Sequence, residues 1–205
     1  MLDVQPAPAI AAPGTDRWRP AFILAGPAAL VSIVLLFAAA GAASGDAVFM
    51  ASSGLGTASS LTALLALLAM TIGLAALPAQ VPAIRQGFGR IAWAVATIGT
   101  VLTAGAYWSS VFVQPGLAHS APDAVRNGLA SVTAGFVVSY LVMGLGWLLT
   151  AVVLLRARLL RVSGWFLILA ALVAITPLPF RYLPLAIAVS IACGARLGRR
   201  TTSQP

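Results

Sequence analysis

Lysine and glutamate are missing from these 205 residues, cysteine and histidine occur once each, and aspartate occurs four times. Each scarcity removes a class of chemistry. Cys193, alone inside an apolar run, forms no intrachain disulfide and no structural zinc site; it reads as a small buried apolar residue. Without lysine there is no Schiff base of the kind retinal proteins use. Without a second thiol there is no quinone-linked thiol oxidoreductase. Intramembrane haem commonly takes histidine ligands, and His119 is the one histidine. Asp3, Asp16, Asp46 and Asp123 are too scattered for the clustered metal site of phosphatidyl-alcohol transferases. The Ser and His that rhomboid proteases place on two helices are not matched either, because Ser53-Gly54 and His119 fall in separate loops. No metal and no cofactor is expected.

Charge of any sign is scarce. Only 8% of residues are charged and 60% are hydrophobic, with a mean hydropathy of +1.01. A soluble domain carries roughly a quarter charged residues because its surface faces water. A chain this poor in charge takes lipid as solvent for much of its exterior. The net charge of +8 does not indicate nucleic acid. Its arginines stand at the ends of apolar runs instead of clustering on one face, which is where arginine orients membrane helices. Usage restricted to Arg and rich in Ala points to a GC-rich bacterial genome, so the expected location is a bacterial inner membrane, with the chain passing through it several times.

What is present is apolar runs. They predict an all-α, polytopic bundle of six membrane helices at about 20–43, 58–78, 91–113, 127–155, 162–177 and 182–196. Residues 1–19, rich in Pro and Ala, read as a mobile tail, and 197–205 as a second tail. The first apolar run is too long for the h-region of a signal peptide, about 7–15 residues, so it is expected to stay as a helix. The Gly- and Ser-rich stretch after Asp46 reads as an outer loop. Pro78 and Pro82 are expected to end the second helix, Gln114-Pro115-Gly116 the third, and Pro177 and Pro179 the fifth. The last two helices are short beside the roughly 20 residues a span needs. Two short spans are preferred to a re-entrant hairpin, which sets Arg181 at membrane depth.

Orientation follows from the arginines. With six spans, one set of loops and tails holds Arg17, Arg19, Arg85, Arg90, Arg156, Arg158, Arg161, Arg196, Arg199 and Arg200, and the other holds Arg126 and Arg181. Positive residues stay inside, so both termini are expected in the cytoplasm. Small residues at helical spacing (Ala92, Ala96, Thr100 and Ala104; Gly135, Ser139, Gly146 and Thr150; Ala186, Ser190 and Gly194) predict faces for close helix packing. Trp18, Trp93, Trp147 and Trp165 toward the inner side, and Tyr107, Trp108 and Tyr182 toward the outer, read as an aromatic belt. Paired Arg followed by Trp recurs at 85–93 and 158–165, which fits either a duplicated hairpin or the ordinary make-up of any inner loop.

Three functional readings follow. The first is a non-enzymatic component: an accessory or assembly subunit, or a lipid-interacting scaffold, in a larger membrane complex or a homo-oligomer. Its expected partners are membrane lipids, with Arg85, Arg90, Arg156, Arg158 and Arg161 drawing anionic headgroups at about 1 kcal/mol each. The second is a passive carrier or binder of a neutral or lipophilic molecule, lined by Thr97, Thr100, Thr103, Tyr107, Ser139 and Tyr140. The third is an outer-face enzyme using His119, Asp123, Asp46 and Arg181, with His119 as general base. Against it, Ser120 and Asp123 match a capping box with Pro122 in the first turn. No acidic residue lies within a span, which argues against ion-coupled transport.

Overall fold

In lipid a backbone has no water to bond, so an uncharged apolar run closes its hydrogen bonds within itself, and the form that does so is the helix. The computed structural model describes residues 19–158, 162–176 and 181–196, and no strand occurs among them. In order come α1 Arg19–Ala43, α2 Ala47–Ser52, α3 Gly54–Gln80, α4 Gly87–Phe112, α5 Gln114–Ser120, α6 Pro122–Asn127, α7 Ala130–Arg156, α8 Val162–Ile175 and α9 Tyr182–Val189, which runs on into a π-turn, Ser190–Arg196. Four helices (α1, α3, α4 and α7) are long and apolar enough to cross a membrane. They mark the chain as a helical membrane protein. The apolar stretches Ser163–Ile175 and Tyr182–Cys193 are shorter.

The stretch expected as an outer loop is helical instead. The Asp46 carboxylate accepts from the Val48 N–H at 2.9 Å and starts α2. Ser53 Oγ accepts from the Gly56 N–H at 3.0 Å and starts α3, four residues ahead of the expected position. Both are N-caps, which satisfy donors that a helix start leaves bare. Nor does α3 end at Pro78: it continues to Gln80. A proline inside a helix leaves the carbonyl four residues earlier without its donor, here Leu74. Trp93 Nε1 on α4 donates to that oxygen at 2.8 Å. The same repair occurs in α1, where Pro27 frees the Ile23 carbonyl and Ser190 Oγ donates to it at 3.0 Å. That bond also places the start of α1 beside the end of the last helix.

A second correction concerns the entry to the fourth long helix. Ser120 is the last residue of α5, and its hydroxyl donates back to Gly116 O at 2.9 Å. No side chain caps α6. Gly128 then adopts φ +66, a turn that favours glycine, and α7 starts only at Ala130. Pro115, expected as part of a breaker, sits in the first turn of α5, where its missing N–H costs nothing.

The helices pack as antiparallel neighbours, α1 on α3, α3 on α4, α4 on α7 and α7 on α8, with α9 and its π-turn against α1. Between α4 and α7 the backbones touch. A Cβ on Gly99 would overlap the Met143 backbone nitrogen, and one on Gly146 would overlap that of Ala96. Ala92, Ala96, Thr100 and Ala104 are buried along this seam. Gly135, placed with Gly146 by spacing, meets nothing within 4 Å, because residues 130–135, at the start of α7, are all exposed. Phe22, Leu67, Leu74, Met143 and Leu154 fill the interior, while Leu24, Val34, Ile98 and Phe166 face outward.

Arg85, Arg90, Arg156 and Arg158 gather at one end of this bundle, and Asp46, His119, Asp123 and Arg126 at the other. Arg17, Trp18, Arg161, Pro177, Pro179, Arg199 and Arg200 lie outside the described residues, as do residues 1–18 and 197–205 of the expected tails; Arg19, expected in the first tail, begins α1.

Candidate functional site

The polar side chains that enter the bundle meet each other. Ser32 on α1 and Ser59 on α3 form a reciprocal clamp, each hydroxyl donating to the other's carbonyl at 2.8 Å. With the Ser32 proton so used, the Tyr182 hydroxyl donates to Ser32 Oγ at 2.6 Å. Tyr182 sets its ring edge-on to Tyr107 at 5.3 Å, and the Tyr107 and Tyr140 hydroxyls lie 2.9 Å apart. The Arg181 guanidinium stands 3.9 Å over the Tyr140 ring, a cation–π contact, and its Nη1 donates to Thr176 O at 3.1 Å. Five helices thus share one network, built from α1, α3, α4, α7 and the head of α9. Its members contact one another across helices, so it ties the bundle together.

Two of these tyrosines were expected in an aromatic belt. Tyr182 is buried and Tyr107 half-buried. Trp147 is buried as well, donating through Nε1 to Thr100 Oγ1 at 3.1 Å, and Trp93 is half-buried on its α3 carbonyl. Only Trp108 and Trp165 of the described set face outward, Trp165 with 67% of its surface exposed. An indole or phenol in an apolar interior needs a partner, and the bundle supplies one. Trp93 and Trp165, equivalent in the repeated Arg–Trp pattern, have opposite surroundings.

The residues expected to line a carrier site are turned to their own backbones. Thr97, Thr100, Thr103 and Ser139 donate to the carbonyls of Trp93, Ala96, Gly99 and Gly135 at 2.7–2.9 Å. Neither of the clefts below is lined by them, nor by Tyr107 or Tyr140.

At the acidic end, α2 packs against α5 and α6, forming a cap over the long helices. Asp46, His119 and Asp123 all belong to it and are exposed. Each carboxylate is otherwise engaged: Asp46 holds the α2 start, and Asp123 pairs with Arg126 at 3.6 Å. No hydrogen bond or ion pair joins His119 to either of them among the described residues. Arg181, the fourth candidate, belongs to the tyrosine network. Among the described residues no three His, Cys or Asp side chains approach as metal ligands would.

Below the cap lies a cleft of about 350 Å³. Leu36, Met50, Leu117, Val132 and Phe136 make its apolar walls, with Ser60, Ser110 and Gln114 as polar points. The exposed start of α7, through Leu129, Val132 and Thr133, borders it. A second groove of about 470 Å³ runs between α8 and α9 and is almost wholly apolar.

At the arginine end, Arg85 Nε donates to Pro78 O and Nη2 to Ala79 O at 3.1 Å, closing the end of α3 where carbonyls lack partners. Arg90, Arg156 and Arg158 are exposed. Sequence reasoning missed Ser32 and Ser59 as network members, and Trp147 as a buried donor to Thr100. Interior Pro27 and Pro78 each free a carbonyl and so signal a donor on another helix, but those donors are Ser190 and Trp93. Compared with known proteins, the chain matches no family model, no curated sequence and no solved structure.

Proposed function

We propose that this chain is a non-enzymatic, lipid-interacting scaffold of a bacterial inner membrane, with six spans and both termini cytoplasmic. One observation carries the reading: nearly all the described polar side chains buried within the long helices bond inside the bundle, Thr150 excepted, while arginines and large apolar side chains are exposed on its outside. A protein so arranged has its surface, not its interior, available for recognition. The arginine end attracts anionic headgroups, and the exposed outer part of α7 offers a face to other membrane components. The test is extraction in lipid-preserving nanodiscs followed by mass measurement. Retention of anionic lipid, alone or with a co-purifying membrane complex, is the expected result. A lone protein filled with one neutral ligand and indifferent to lipid charge would sink the reading.

A second reading has one specific support. The cleft under the cap is of a size and polarity suited to a small lipophilic molecule, which favours a passive binder. Under it, Phe136→Trp, which fills the cleft, displaces the ligand without changing lipid retention.

A further inference from the structure

Ser163 is 2% exposed, and its hydroxyl has no hydrogen-bond partner among the described residues. Such a group costs stability in an apolar setting unless a partner arrives from elsewhere. Ser163 lines the groove between α8 and α9, at the end where Ile191 forms the opposite wall. From there the groove runs past Phe166 and Ile187 to Val173 and Leu183. Ten residues of α8 separate Ser163 from Val173, which is about 15 Å of helix and roughly half of a hydrocarbon core about 30 Å thick. The groove therefore has the length of one leaflet.

The Ser163 end is also the cationic end. Gly164 packs on the Leu155 side chain, next in sequence to Arg156, and Arg156 and Arg158 are exposed. The described carboxylates, Asp46 and Asp123, belong to the opposite end of the bundle. An amphiphile that satisfies all three features has one apolar chain, a hydrogen-bond acceptor at its head and a negative charge beyond.

We infer that the α8–α9 groove seats one acyl chain of an anionic phospholipid, with a head-region oxygen accepting from Ser163 Oγ and the phosphate beside Arg156 and Arg158. The inference rests on the lipid-scaffold reading and names where one lipid is held. The bound lipid would supply the acceptor that the protein withholds from Ser163, and it would cover the exposed Phe166, Leu169 and Ile191 along the groove.

The test uses full-length protein in nanodiscs holding equal amounts of phosphatidylglycerol and phosphatidylcholine, released for native mass measurement. Wild type is expected to keep one phosphatidylglycerol in preference. Arg156→Gln and Arg158→Gln each reduce that preference about fivefold, from about 1 kcal/mol per arginine. Ser163→Ala lowers retention about fivefold, from about 1 kcal/mol for one hydrogen bond, and Leu169→Trp, which fills the groove from its exposed wall, abolishes it. If Ser163→Ala and a folded Leu169→Trp keep the lipid as wild type does, the groove assignment is overturned, while an undiminished arginine effect leaves the scaffold reading standing. No anionic preference in wild type overturns both. A dimer dissolved by Leu169→Trp overturns the groove assignment in favour of a second copy. Should Leu169→Trp not fold, Ser163→Ala decides alone, because it removes no hydrogen bond among the described residues.

Discussion

At the scale of single residues, the prolines and the hydroxyls explain each other. Pro78 leaves Leu74 O open, and Trp93 closes it. Trp93→Phe is expected to cost about 1 kcal/mol, the net worth of one hydrogen bond, and much less in a Pro78→Ala background, where the restored N–H satisfies Leu74 from within the helix. A double-mutant cycle on unfolding in mixed micelles measures this; additive costs would break the link. Thr150 makes the opposite case. Its hydroxyl is buried without a partner among the described residues. Thr150→Val keeps the shape and removes the orphan, so it stabilises the bundle by about 1 kcal/mol, read as a raised melting temperature. Thr150→Val leaves lipid retention unchanged, whereas Ser163→Ala does not, which separates an orphan in the core from one on a groove.

At the scale of elements, close approach of α4 and α7 is set by the glycines on which their backbones rest. Gly146→Ala forces the two helices apart and is expected to cost several kcal/mol, the overpacking range being about 1–3 kcal/mol with more where backbone must move. Gly135→Ala on the same helix meets open space and gains up to about 1 kcal/mol of helix propensity. Thermal unfolding of the two variants side by side checks both signs. The same spacing placed both glycines on one face, and spacing alone does not say how far along that face the neighbour helix extends. The short cap helices illustrate a related point: Asp46 and Ser53 are N-cap residues by type, yet the Gly and Ser around them read as loop. Local composition suggested breaks where capping side chains made starts.

At the scale of the molecule, the arginine segregation predicts topology. Single cysteines introduced in a Cys193→Ser background are expected to react with an impermeant thiol reagent in intact cells at Asp46 or His119, and only after lysis at Arg85 or Ala157. Labelling of Arg85 or Ala157 from outside would reverse the orientation and remove the cytoplasmic placement of the termini. Agreement would leave the two short helices as the remaining matter, which an added cysteine at Arg181 resolves by the same assay only if Arg181→Cys folds despite losing its contact with Tyr140.

Apolar run length, the scarcity of charge and the placement of arginine were enough to read a helical membrane protein, its four long helices within a few residues, and an end rich in positive charge. These are properties summed along a local stretch, so they need no knowledge of neighbours. Which face of each helix turns inward could not be read in the same way. In water an amphipathic stripe marks the buried face, but here lipid and core are both apolar, and the stripe has no reason to exist. Hence Trp147 went inside and Trp165 outside, Tyr182 became a donor to Ser32 and not a belt residue, and Ser163 came to border a groove. Those choices were settled only when the packed helices determined which polar atom could reach which partner.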